Sequence, residues 1–213
     1  MSQSRVWTLG EDIANSVTHG VGFSLSVAGL VTLTILTARS GDAWRIVACA
    51  IYASTLVLLY GASTLYHALS RTRAHRVFRV IDHSAIFLLI AGTYTPFALV
   101  NLRGPWGWTL LAIVWGVAVL GVVAKAVFGA RWPVVSTTIY VVMGWTAVIA
   151  IKPLVAHVAP AGIAWIVAGG VAYTGGVAFY AWDCRLRYGH AVWHLFVLAG
   201  SVCHFVAIAR YVA

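Results

Sequence analysis

Apolar residues run through this chain in blocks too long to be the single buried stripe of a soluble helix. Seven such blocks fall at about 14–37, 44–69, 79–101, 107–129, 134–155, 162–182 and 190–212. An α-helix rises about 1.5 Å per residue, so roughly 20 apolar residues cross the hydrocarbon core of a bilayer. The pattern therefore predicts an all-α polytopic membrane protein, a bundle of seven transmembrane helices. Short loops join the blocks, and no Ser/Pro-rich linker or charge run sets off a soluble part. Residues 1–213 are expected to form one membrane domain. Glu11 and Asp12 precede the first block in place of a basic region, with no small-residue cleavage site, so that block reads as a retained helix.

Composition agrees with lipid as the main solvent: 62% of the residues are hydrophobic and 9% charged, where soluble domains carry about 25% charged residues. The net charge of +9 raises nucleic acid as a partner, but the basic residues sit in short juxtamembrane loops and form no continuous patch. Topology explains them better. With seven crossings the N-terminus shares a side with the loops after helices two, four and six. That side holds Arg5, Arg71, Arg73, Arg76, Arg79, Lys125, Arg131, Arg185 and Arg187, against Arg39, Arg45, Arg103, Lys152 and Arg210 on the other. The bias predicts a cytoplasmic N-terminus. Cys49, Cys184 and Cys203 have no CxxC spacing, which argues against a thiolate metal site or a disulfide framework.

On this map the rare polar groups gather at one end of the bundle. Glu11, Asn15 and His19 lie where helix one begins, Ser63 and His67 where helix two ends, Asp82 and His83 where helix three begins, and His190 and His194 where helix seven begins. His190 and His194 are four residues apart, so their imidazoles leave one helix face about 5 to 6 Å apart at Cβ. Two histidines so placed reach one ion, and His67 at the same depth is the natural third ligand. Three protein ligands and an open position are the usual arrangement of catalytic zinc. Asp82 can bond to such an ion's water or orient a ligand; its alternative is to pair with Arg79 or to cap helix three. Ser63, one turn before His67, can steady an oxyanion or bond back to its own helix. Glu11, Asn15 and His19 form one stripe on helix one, with Thr8 and Glu11 spaced as a capping box and the two deeper residues bracing the cluster.

The remaining histidines carry structural expectations. His204 lies about 15 Å deeper than His194 at the helix rise, too far for the same ion, and is expected to hydrogen-bond another helix; His75, His83 and His157 have similar roles. Thr93 to Pro96 predicts a kink in helix three. Gly169, Gly170, Gly175 and Gly176 predict close helix contact.

Four motifs together resemble the hemolysin III family, the bacterial branch of the progestin and adipoQ receptor superfamily. They are Glu11-Asp-Ile-Ala-Asn15-Ser-Val-Thr-His19, Ser63-Thr-Leu-Tyr-His67, Asp82-His-Ser and His190-Ala-Val-Trp-His194. The resemblance spans nearly the whole chain. It implies Zn²⁺ held by His67, His190 and His194 near the cytoplasmic face, with Asp82 on the zinc-bound water. It also implies a seven-helix bundle with its N-terminus inside, a multi-pass protein of the bacterial inner membrane. The family name derives from cytolysis, while the superfamily is grouped with alkaline ceramidases as membrane hydrolases. The reading placed first is a zinc-dependent hydrolase of an amide or ester bond in a membrane lipid, acting in lipid homeostasis. A non-catalytic lipid sensor with structural zinc comes second. A cytolysin or channel comes last, because helices four to six offer almost no polar path.

Overall fold

The computed structural model describes residues 7–213, which leaves Arg5 of the charge count outside the described residues. Seven helices are long and apolar enough to cross a membrane: α1 (Leu9–Ser40), α2 (Ala43–Ala68), α3 (His75–Asn101), α4 (Pro105–Phe128), α5 (Pro133–His157), α6 (Pro160–Ala181) and α7 (Gly189–Tyr211). The described residues contain no strand. Two helices, α1 and α3, begin four or five residues earlier than their apolar blocks. At α1 the reason is the capping box. The Thr8 hydroxyl accepts from the Glu11 N–H at 3.3 Å, and the Glu11 carboxylate accepts from the Thr8 N–H at 3.0 Å. Two orphan donors of the first turn are satisfied, so the polar run from Leu9 is already helical. At the far end Gly41 adopts φ +66°, and its N–H reaches the Ala38 carbonyl. Only glycine takes that left-handed conformation without cost.

Helices α4, α5 and α6 each start on proline, whose missing N–H costs nothing at a first turn. Inside α3 the same residue has a different effect. Pro96 cannot donate to the preceding turn, and the helix continues as a π-turn over Phe97–Asn101. The irregularity expected at Thr93 to Pro96 thus takes the form of a widened turn. In α5 a 3₁₀ stretch, Trp145–Ala150, joins two α-helical pieces.

α1 packs against both α2 and α7; α2 continues onto α3 and α3 onto α4, while α6 lies on α7. Over their apolar windows α2 and α3 are 56% and 61% buried, against 17% for α5 and α6. The former are the core of the bundle, and the latter offer most of their side chains to lipid. Tyr52, Tyr60, Leu33 and Ile208 fill the centre. Of the four paired glycines, Gly169 and Gly176 allow the closest approach of α6 to α7. A Cβ would lie 2.6 Å from the His204 ring at Gly169 and 2.7 Å from Trp193 and Phe196 at Gly176. Gly170 and Gly175 are in ordinary contact.

Hydrogen bonds between segments settle which ends coincide. The Tyr188 N–H donates to Glu11 at 3.2 Å, and the Ser70 hydroxyl donates to Asp12 at 2.8 Å. The start of α1, the end of α2 and the start of α7 therefore share one end. At the other end the Asn101 side chain donates to the carbonyls of His157 and Tyr211. Lys125, counted above among the charges on the N-terminal side, sits in the last turn of α4, buried, with its ammonium donating to Ser136.

Candidate metal centre

His67 leaves the last turn of α2, and His190 and His194 leave the first two turns of α7. One ligand atom from each lies within 4.8 Å of the other two. Ring centroids are 5.2 Å apart for His67 and His190, 5.0 Å for His67 and His194, and 4.7 Å for His190 and His194. His67 and His194 are buried and His190 partly so. The i, i+4 spacing on α7 supplies two of the rings, and the contact of α1 with both α2 and α7 brings the third to them.

The partners of these rings narrow which nitrogens face inward. His190 Nδ1 lies 3.2 Å from the Asp183 carboxylate. His194 Nδ1 lies 3.1 Å from the Asn15 backbone carbonyl and 3.1 Å from the Thr18 hydroxyl. A carbonyl only accepts, so His194 carries its proton on Nδ1 and keeps a lone pair on Nε2. The carboxylate favours the same tautomer at His190. His67 has no such partner: both ring nitrogens are buried and unpaired among the described residues. Leaving a buried polar atom unpaired costs about 1–3 kcal/mol. An ion among the three rings removes that cost at one nitrogen, and three neutral imidazoles suit zinc. The donor set therefore fits the metal the residues imply.

A layer of further groups fixes the rings. Trp7 lies over His67 and His190, with centroid distances of 4.9 and 4.6 Å. His19 stacks on His194 at 3.5 Å and meets the Tyr60 edge at 5.0 Å. Asn15 braces His194 through its carbonyl; its side-chain amide, like both nitrogens of His19, is buried without a hydrogen-bond partner among the described residues. Glu11 both caps α1 and receives the Tyr188 N–H, where a left-handed residue (φ +59°) turns the chain into α7. The two starts that supply Asn15 and His194 are tied together by that one carboxylate.

Asp82 lies two turns inside α3, so it is no helix cap, and among the described residues it makes no ion pair with Arg79. Ser63 lies beside its carboxylate. His83 Nδ1 lies 3.6 Å from the same carboxylate and 2.8 Å from the Arg79 carbonyl. Asp82 is outside the group of three histidines, linked to it through Ser63, one turn before His67. The other histidines find local partners: His75 the Tyr66 carbonyl and ring, His157 the Pro153 carbonyl. His204 departs from expectation. Its Nδ1 has no hydrogen-bond partner among the described residues, and it stacks on Tyr173 of α6 at 5.6 Å.

Three contributors escaped the reading of the sequence. Asp183 carried a usable signal, as one of only five acidic residues and placed just before the histidine pair. Thr18 and Trp7 carried none, because their roles depend on how α1 and its leading residue fold back on α2 and α7.

Residues 7–205 match the family described as Haemolysin-III related. "Hemolysin-3" of Bacillus cereus is 46% identical over 202 residues, covering 95% of this chain and 92% of that protein. "Hemolysin-3 homolog" of Bacillus subtilis (strain 168) is 45% identical over 206 residues, covering 97% and 96%. "Monocyte to macrophage differentiation factor" of Homo sapiens is 28% identical over 209 residues, covering 96% and 85%.

Proposed function

The chain belongs to the haemolysin-III-related family of multi-pass membrane proteins, and we propose that it is a zinc-dependent hydrolase of an amide or ester bond in a membrane lipid. The observation that carries this reading is the buried His67 ring, without a hydrogen-bond partner among the described residues, facing two histidines whose Nδ1 atoms are already engaged. His67, His190 and His194 would hold the ion. Zinc there supplies a Lewis acid for the scissile carbonyl and lowers the pKa of a water toward about 7.

The chain's own residues perform the rest. Asp183 and the Asn15 carbonyl hold the α7 rings in one tautomer. Asp82 takes the proton of the attacking water as the new C–O bond forms, and returns it to the amine or alcohol that leaves. Ser63, beside Asp82, positions that carboxylate. His19 and Asn15 brace His194, and Glu11 fixes the start of α7. A lipid is the substrate class favoured by the site's place at one end of a membrane bundle. The charge bias supports a cytoplasmic position for that end.

A second reading has an observation of its own. Trp7 covers two of the three rings, as in a closed structural site, and the ion would then staple α2 to α7 in a lipid-sensing protein without turnover. One experiment separates the two. Purified protein is incubated with N-acyl and O-acyl lipids, and released fatty acid is measured. Hydrolysis predicts release that falls at least about 100-fold in Asp82→Asn with zinc retained. Zinc-loaded protein that releases no acid from any of these lipids points to the staple.

A further inference from the structure

At the end of the bundle opposite the histidines, α2, α3 and α4 enclose an open groove of about 400 Å³, within the size range of small-molecule sites. Trp44 and Trp108 stand at its mouth, edge to face with centroids 6.1 Å apart. Ile51, Leu99 and Leu111 form its walls. From Trp44 to Ile51, and from Trp108 to Trp115, is seven residues, about 10 Å along each helix. The groove therefore runs from the depth of interfacial tryptophans into the hydrocarbon layer.

The polar groups at its depth are already satisfied. The Trp115 indole N–H donates to the Thr95 hydroxyl at 3.1 Å, and that hydroxyl donates to the Ala91 carbonyl at 2.8 Å. The depth of the groove offers no hydrogen bond and suits a hydrocarbon chain. The mouth is different. Arg103 is exposed, with its guanidinium 4.6 Å from the Trp44 ring centroid. Among the described residues no carboxylate pairs with it, whereas neighbouring Arg45 is occupied by Asp42 and the Ala213 carbonyl. A cation fixed on an aromatic face above an apolar trough matches a phosphate joined to an acyl chain.

We propose that this groove binds one anionic membrane phospholipid, its acyl chain between α2 and α4 and its phosphate on Arg103. The site is separate from the histidines and independent of their chemistry, so the lipid held here is a bound ligand of the fold and no substrate.

The test is native mass spectrometry of the full chain in mild detergent with equal amounts of phosphatidylglycerol and of diacylglycerol bearing the same chains. The expected result is retention of phosphatidylglycerol over diacylglycerol by roughly tenfold. Arg103→Gln, on an exposed turn, should erase that preference. Ala112→Trp, which plants an indole in the groove from an exposed position of α4, should lose both lipids with helical melting unchanged. Equal retention of the two lipids by the native chain would overturn the proposal. So would an undiminished preference in Arg103→Gln, or a dimer of the chain that Ala112→Trp dissociates.

Discussion

Helix α7 carries two buried histidine environments, and they differ in what surrounds a ring. Near its start, His190 and His194 meet His67 of α2 with their Nδ1 atoms held by a carboxylate and a carbonyl. Deeper in the bundle His204 stacks on Tyr173. Beside it Ser201 is shared by the hydroxyls of Tyr60 and Tyr173 at 2.7 and 2.8 Å. The first environment gathers imidazole lone pairs that do not satisfy one another. The second holds one imidazole alone among the described residues, stacked on a tyrosine in a packed interior, with no other imidazole to share an ion. A histidine in a membrane helix is thus not a site in itself. The groups behind the ring, which aim its free nitrogen at other free nitrogens, make the difference.

The contrast breaks most sharply at a ligand. His194→Ala should weaken zinc binding by more than about 100-fold, beyond what loss of an outer partner costs, as read by competition with a chelator. Asp183→Asn keeps the three ligands but loosens the orientation of His190, and should cost roughly 10- to 100-fold in the same titration. At the deeper environment Gly169→Ala forces a Cβ to within 2.6 Å of the His204 ring. Thermal unfolding should show a loss of about 1–3 kcal/mol from overpacking, with zinc affinity unchanged. Thr8→Ala should have the smallest effect. It removes one half of the capping box and costs about 1 kcal/mol of stability by the same unfolding measurement.

Much of this contrast was legible in the chain. Apolar block length announced seven helices, and the i, i+4 spacing of His190 and His194, with His67 at matching depth, announced three histidines gathered at one end. The capping box was readable too, since Thr8 and Glu11 act within a single turn. What escaped depends on tertiary approach. Asn15 was marked as a brace, but its backbone carbonyl, which every residue has, does the bracing. Trp7 and Thr18 reach the cluster only because α1 packs on both α2 and α7. The early starts of α1 and α3 were hidden because their first turns are polar, so hydropathy could not mark them. Lys125 was counted as an orienting charge at the end of the fourth block, but its ammonium is satisfied by Ser136 inside the bundle.

The central claim is that three histidines from two helices form one metal centre. Elemental analysis of the purified chain, side by side with His67→Ala, tests it most directly. The account predicts about one zinc per native chain and essentially none in the variant, because the remaining pair on α7 is a weak chelate. A native chain without bound metal, or a His67→Ala variant that keeps its full complement, would contradict it.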